Sequence, residues 1–131
     1  NDEILGYAYA SRYKERRAYA WDVEVSLYVR KDSHKKGIGK KLYTYLFQIL
    51  YAQNIHNVYA CITAENTGSV LMHKSMGFQQ VACFPNSGFK FERWLDVVWM
   101  AKALRIQEKP KEVISIQEVK SVFFDEKGYA K

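Results

Sequence analysis

Alternation of apolar and polar residues between positions 19 and 29 is the clearest pattern in the chain. Every second residue from Val23 to Val29 is aliphatic, and the residues between them are Glu24, Ser26 and Tyr28. This period of two is typical of a half-buried strand, with one face toward a core and the other toward solvent.

A helical repeat follows the loop at residues 30–37. Apolar residues recur every three or four positions from Ile38, which predicts an amphipathic helix that stops near Asn54. The predicted buried face consists of Ile38, Leu42, Tyr45, Leu46, Ile49 and Leu50.

Strands and helices continue to alternate as far as Leu104. A short helix over residues 69–76 should be closed by Gly77, and a turn is expected at residues 85–88. The order strand, strand, helix, strand, helix, strand, strand predicts an α/β (α+β) sheet with helices packed on it. The remaining strands are predicted over residues 4–10, 57–63, 79–84 and 94–104.

The composition changes after Leu104, which divides the chain into a domain at residues 1–104 and an extension at residues 105–131. In the extension we expect at most one further strand, over residues 113–119, followed by a frayed tail.

The composition is that of a globular protein, with 48% hydrophobic and 15% aromatic residues among 131. We expect a cytoplasmic protein without a membrane partner, because neither a leader nor an apolar run of about 20 residues is visible. Cys61 and Cys83 are the only cysteines, and no His/Cys cluster accompanies them. They predict a reduced protein without a structural metal.

Positive charge is concentrated around two glycines. The net charge is +6, and residues 30–41 hold six Lys or Arg residues against Asp32, or +5. Gly37 and Gly39 stand where a helix should begin, and exposed N–H groups and the helix dipole favour an anion there. Taken alone, the Gly-x-Gly motif favours a plain polar turn with lysines on a solvated face. Walker and dinucleotide loops do not fit, because Leu42 lacks the residue type that either motif requires.

Several motifs together resemble one family. The segment "VSLYVRKDSHKKGIGKKLYTYL" resembles the acetyl-CoA segment of the GCN5-related N-acetyltransferase (GNAT) superfamily, and "AENTGSVLMHKSMGF" resembles its next hallmark. Within that superfamily, "AYAWDVEVSLYV" and "GFKFERWLDVVW" are similar to the phosphinothricin and methionine sulfoximine N-acetyltransferases. The resemblance covers roughly residues 4–104.

The resemblance implies a mixed, mostly antiparallel sheet flanked by helices, here without the N-terminal strand and two helices of the family. It also implies a site for acetyl-CoA as cosubstrate, with no metal. Asn66 would bond the pantetheine arm or simply cap the helix, and His34 replaces the usual Arg or Gln of the loop. Backbone groups of Leu27, Tyr28 and Val29 would pair with the arm, and those of Lys35, Lys36, Gly37, Ile38, Gly39 and Lys40 would cradle the pyrophosphate.

The same resemblance implies the chemistry. Glu24 would be the general base for direct attack by the amine, although an exposed strand Glu in a salt bridge is the alternative. His73 would protonate the thiolate or position the acceptor, unless it is a buried structural residue. Arg16 would bind the acceptor's carboxylate or phosphinate, with Arg17 or a merely solvated loop as alternatives. The cysteines lack a neighbouring base, so an acyl-cysteine intermediate is not expected.

The function predicted from these residues is acetyl transfer from acetyl-CoA to a small amino-acid-like amine of the phosphinothricin or methionine sulfoximine type. The enzyme is expected to be a homodimer that binds neither nucleic acid nor membranes. Two rival hypotheses remain open. One is a nucleic-acid module that grips phosphates through residues 30–41. The other is an inactive, truncated coenzyme-A-binding fold.

Overall fold

The computed structural model describes residues 6–14, 17–30 and 37–118. Five strands form one sheet in the order β1-β2-β3-β5-β4, in which β2 and β3 run parallel and the other neighbours antiparallel. The predicted order of elements and the mixed, mostly antiparallel fold class are confirmed. The elements are β1 (Gly6–Arg12), a 3₁₀ turn (Arg17–Tyr19), β2 (Asp22–Val29), α1 (Ile38–Ala52), β3 (Asn57–Thr63), α2 (Thr67–Ser75), β4 (Gln79–Lys90) and β5 (Arg93–Ala103).

The hydrophobic core lies between one face of the sheet and the two helices. β2 contributes Val23 and Val25, as its alternation predicts, and Leu27 is partly buried against the same cluster. The other buried members are Tyr43, Phe47 and Leu50 of α1, Val58, Ala60 and Ile62 of β3, Val98 and Met100 of β5, together with Ile55 and Phe78. The opposite face of the sheet carries the remaining residues of each strand, such as Glu24 and Tyr59.

The buried face of α1 differs from the prediction. Tyr45 is 55% exposed, whereas Tyr43 is 1% exposed and Phe47 lies beside it in the core. Tyr43 can be buried because its hydroxyl group has a partner, the ring of His73. Neither residue of this pair is recognisable as a partner of the other from the sequence pattern.

The predicted turn at residues 85–88 is wrong. β4 continues to Lys90, and the chain reverses at Phe91 and Glu92, whose φ angles are 54° and 59°. The register with β5 shifts between Phe84 and Gly88, so the Pro85 segment is an irregularity within the strand. Proline is tolerated there because β4 is at the edge of the sheet.

The strand expected over residues 113–119 is absent from its described part. Residues 111–115 have no regular structure, and residues 116–118 are helical. Side chains hold the backbone here: Trp21 donates to the Lys111 carbonyl (2.7 Å), and Gln53 donates to the Ile114 carbonyl (3.0 Å). This segment therefore follows the end of α1 instead of pairing with a sheet edge.

Within residues 6–14, 17–30 and 37–118, no helix has the length and apolar character needed to cross a membrane.

Candidate active site

The two parallel strands pair only at their beginnings. The register of β2 with β3 runs from Asp22 opposite Asn57 to Glu24 opposite Tyr59, and it extends no further among the described residues. β1 continues to pair with β2 as far as Val29. β3 pairs with β5 along the whole length of β3. The sheet therefore opens into a gap between β2 and β3. An extended ligand that carries amides can bind such a gap in the manner of an added strand.

Both helices begin at the open end of this gap. α1 follows β2 and α2 follows β3, and the carboxyl ends of parallel strands lie at the same edge of a sheet. Each helix start leaves backbone N–H groups without a partner inside the helix. The edge therefore offers two positive helix ends near one another.

The glycines at the start of α1 have different roles. Gly37 is the N-cap residue with φ of 72°, a left-handed conformation that suits glycine, and no side chain caps this helix. A Cβ atom on Gly39 would lie 3.1 Å from Cδ2 of Leu27, so this glycine allows α1 to pack closely on β2. The exposed Lys40 follows in the first turn. His34, Lys35 and Lys36 lie outside the described residues.

Asn66 caps α2. Its side-chain oxygen accepts a hydrogen bond from the backbone N–H of Ser69 at 3.2 Å, as the capping interpretation predicts. The preceding residue, Glu65, forms a two-pronged ion pair with Arg93 at 2.5 and 2.6 Å. This hydrogen bond lowers the pKa of Glu65. The pair links the turn before Asn66 to the β4–β5 hairpin.

Glu24 is placed where the gap begins. It is half-buried on the outward face of β2, opposite Ser11 of β1 and Tyr59 of β3. Among the described residues no ion pair holds it, so the salt-bridge alternative has no support there. On the same face of β3, burial and then the charge of Glu24 raise the pKa of the Cys61 thiol. The raised pKa agrees with the expectation that Cys61 is not a nucleophile.

Aromatic rings cover the outward face beside Glu24. The ring of Tyr13 lies 4.7 Å from that of Tyr59 and 6.1 Å from that of Trp99. This group forms an apolar wall next to a carboxylate. Trp99 belongs to this wall.

The predicted acceptor-binding arginine, Arg16, lies outside the described residues. Its alternative, Arg17, contacts Glu112 at 3.7 Å with both side chains 88% exposed. Arg17 also borders a cleft of about 300 Å³ at the start of β2, which includes neither Glu24 nor any predicted coenzyme residue. The other lining residues of this cleft are Arg12, Lys14, Ala20, Trp21, Glu112 and Val113.

His73 is buried between the helices. Nδ1 lies 2.7 Å from the carbonyl oxygen of Ser69, and Nε2 lies 2.9 Å from the hydroxyl group of Tyr43. A carbonyl can only accept, so Nδ1 carries the proton and Nε2 accepts from Tyr43. Burial lowers the pKa of His73, which keeps the ring neutral. Its predicted role as proton donor stays a prediction, and this burial does not favour it.

Comparisons with known proteins agree with this geometry. Residues 1–99 match the acetyltransferase (GNAT) domain family. The phosphinothricin N-acetyltransferase of Streptomyces coelicolor is 40% identical over 104 residues, 79% of this chain and 61% of that protein. The L-methionine sulfoximine/L-methionine sulfone acetyltransferase of Pseudomonas paraeruginosa is 37% identical over 75% of this chain and 57% of its own length.

A solved structure has the same fold. The phosphinothricin acetyltransferase of Sinorhizobium meliloti in complex with acetyl-CoA superposes with a TM-score of 0.77 at 35% identity, over 82% of this chain and 60% of that one. The chain thus spans less than two thirds of the length of these relatives. Because the family match covers most of the chain and agrees with the fold and the sequence motifs, the chain belongs to the GNAT family of acetyltransferases.

Proposed function

We propose that this protein transfers an acetyl group from acetyl-CoA to the amine of a small amino-acid-like acceptor. The observation that carries the proposal is the gap between β2 and β3, which begins at Glu24 and ends at two helix starts. Three features therefore lie along this gap: the carboxylate of Glu24, the unpaired edge of β2 and the helix starts that favour an anion. The gap matches an extended amide chain with a pyrophosphate at one end and a thioester at the other.

Acetyl-CoA would lie along this gap. Backbone groups of Leu27, Tyr28 and Val29 would bond the pantetheine arm, and Asn66 would approach it from α2. The pyrophosphate would rest on the backbone of residues 35–40, where N–H groups and the helix dipole favour negative charge. Gly37 supports this placement, since among the described residues no atom beyond its chain neighbours and the backbone of α1 lies within 4 Å of the position that a Cβ atom would take.

The reaction is a direct transfer. The acceptor nitrogen forms a bond to the thioester carbonyl carbon, and Glu24, directly or through water, takes the proton that the nitrogen loses. The carbon–sulfur bond then breaks, and the leaving thiolate takes a proton from solvent to give coenzyme A, while Glu24 returns its proton to solvent. No protein nucleophile is required, which is consistent with the raised pKa of the Cys61 thiol.

The acceptor class follows from charge and from the relatives' names. Phosphinothricin and methionine sulfoximine both combine an amine with an acidic amino-acid group, and a buried acidic group requires a fixed cation. Arg16 is proposed as that cation. The apolar wall of Tyr13, Tyr59 and Trp99 would contact the acceptor's aliphatic part. The homodimer and the cytoplasmic location remain predictions.

Acetyl-CoA should raise the melting temperature of the chain. A ligand that binds only the native state at 100 times its Kd adds about 2.7 kcal/mol to the free energy of unfolding, or several degrees. Differential scanning fluorimetry with acetyl-CoA and, in parallel, with single-stranded RNA checks this expectation. No shift with acetyl-CoA together with tight, salt-dependent RNA binding would favour the nucleic-acid module instead.

Arg16→Ala should raise KM for acidic amino-acid acceptors about 10–100-fold, the effect of losing one charge-assisted hydrogen bond. KM for acetyl-CoA should hardly change. Steady-state kinetics with methionine sulfoximine measures both constants, and Arg17→Ala is the matched control because Arg17 is exposed and paired with Glu112. The acceptor proposal fails if polyamines or aminoglycosides are better substrates and Arg16→Ala has no effect. Acetyl transfer itself would survive that result.

A further inference from the structure

We propose that Tyr43 and His73 form a buried clip that fixes the spacing of α1 and α2, which makes Tyr43 a positioning residue for coenzyme binding. The inference rests on the proposed function, because the two helix starts are the coenzyme's proposed anchors. Tyr43 stands out since it is among the largest fully buried side chains and carries a polar group into the core.

The clip is closely packed and fully bonded. Tyr43 is 1% exposed and His73 is 3% exposed, and the hydroxyl group donates to Nε2 at 2.9 Å. The centroid of the Tyr43 ring lies 4.9 Å from that of Phe47, and the centroid of His73 lies 4.9 Å from that of Phe78. With Nδ1 bonded to the Ser69 carbonyl, both ring nitrogens of His73 have partners within the protein.

This arrangement does not suit a proton donor. A neutral ring with its proton on Nδ1 has no proton on Nε2, and Nδ1 is directed at the backbone of its own helix. The thiolate of coenzyme A would have to displace either Tyr43 or Ser69 to receive a proton from the ring. A structural contact between two helices requires neither displacement.

The contact lies close to both helix starts. Tyr43 follows Gly39 by about one turn, roughly 6 Å along the axis of α1, and His73 follows Asn66 by about two turns, roughly 10 Å along α2. Helices of this length are rigid over those distances. A fixed contact between Tyr43 and His73 therefore sets how far apart the two rows of N–H groups stand.

The test compares Tyr43→Phe with Tyr45→Phe. Tyr45 is on the same helix but exposed, so its variant is the matched control. We expect Tyr43→Phe to weaken acetyl-CoA binding about 5–20-fold by calorimetry, because without the hydrogen bond the helix spacing that binds the coenzyme is only a fraction of the free protein's population. The kcat at saturating acetyl-CoA should change less than about twofold, because no reacting group is removed. Tyr45→Phe should change neither constant.

The state of His73 gives an independent readout in the free protein, even where a variant folds poorly. Nitrogen-15 NMR of the native chain at neutral pH should show the neutral ring with its proton on Nδ1. A ring that carries its proton on Nε2 at neutral pH would overturn the clip. So would a His73→Gln variant that loses kcat about 100-fold with native acetyl-CoA affinity, since that pattern identifies a proton donor. If the native chain binds no acetyl-CoA, the positioning role fails together with the proposed function, while the NMR result still decides the clip.

Discussion

Glu24→Gln should lower kcat about 10²–10⁴-fold at neutral pH, the usual cost of losing a general base. Glutamine has nearly the same shape, so the β2 register and the gap beyond it should be kept. The amide cannot take a proton from the attacking amine. Glu24 lies where the gap begins and is not among the residues proposed to bind acetyl-CoA, so the variant should bind acetyl-CoA with native affinity. Calorimetry measures this affinity independently of kcat.

The pH dependence of kcat gives a second test of the role of Glu24. At high pH hydroxide can take the proton that Glu24 takes at neutral pH, so the kcat deficit of Glu24→Gln should narrow as pH rises. Glu108→Gln is the control, since it removes a carboxylate from an exposed position outside the gap. A variant with native kcat and an unchanged pH–rate profile would remove Glu24 from the mechanism.

Much of the fold can be predicted because short-range patterns encode it. The period of two between Val23 and Val29 places Val23 and Val25 in the core and Leu27 against it, and the strand at residues 57–63 has the predicted bounds. Turn chemistry is equally local: Asn54 and Gly77 end helices, and their φ angles are 72° and 92°. Each of these features depends on the residue itself and its nearest neighbours.

Features that depend on distant partners could not be predicted. "PNSG" at residues 85–88 has the composition of a turn, yet the sheet continues through it and reverses at Phe91 and Glu92. The repeat of apolar residues places Tyr45, and not Tyr43, on the buried face of α1. Only the placement of His73 on the neighbouring helix shows why Tyr43 is buried.

The candidate site also has one part that the sequence predicts and one part that it does not. Alternation puts Glu24 on the outward face of β2, but the pattern does not indicate where β2 and β3 stop pairing. The register supplies that information, because the last pair is Glu24 with Tyr59. The carboxylate thus stands at the opening of the gap, which distinguishes it from Asp22, whose carboxylate accepts a hydrogen bond from Asn57 at 2.8 Å.

Gly37→Val should weaken acetyl-CoA binding about 100-fold or more. Apart from the neighbouring residues in the chain and the backbone of α1, no atom of the described residues lies within 4 Å of the Cβ position, so the new side chain would meet the ligand and not the packed core. If it keeps the pyrophosphate from two backbone N–H groups, the loss is about 1.5–3 kcal/mol for each charge-assisted hydrogen bond. Calorimetric titration with acetyl-CoA measures the change in Kd.

Backbone strain must be separated from this loss. Valine at φ of 72° costs about 1–2 kcal/mol of folding free energy, so Gly37→Val will also melt earlier. Asn86 has φ of 51° on β4, outside the start of α1, and Asn86→Val should show a comparable strain with native acetyl-CoA affinity. Chemical denaturation of both variants measures how much the strained backbone lowers the free energy of unfolding. If Gly37→Val binds acetyl-CoA as tightly as Asn86→Val does, the pyrophosphate does not rest on the start of α1, and the coenzyme must bind elsewhere on the fold.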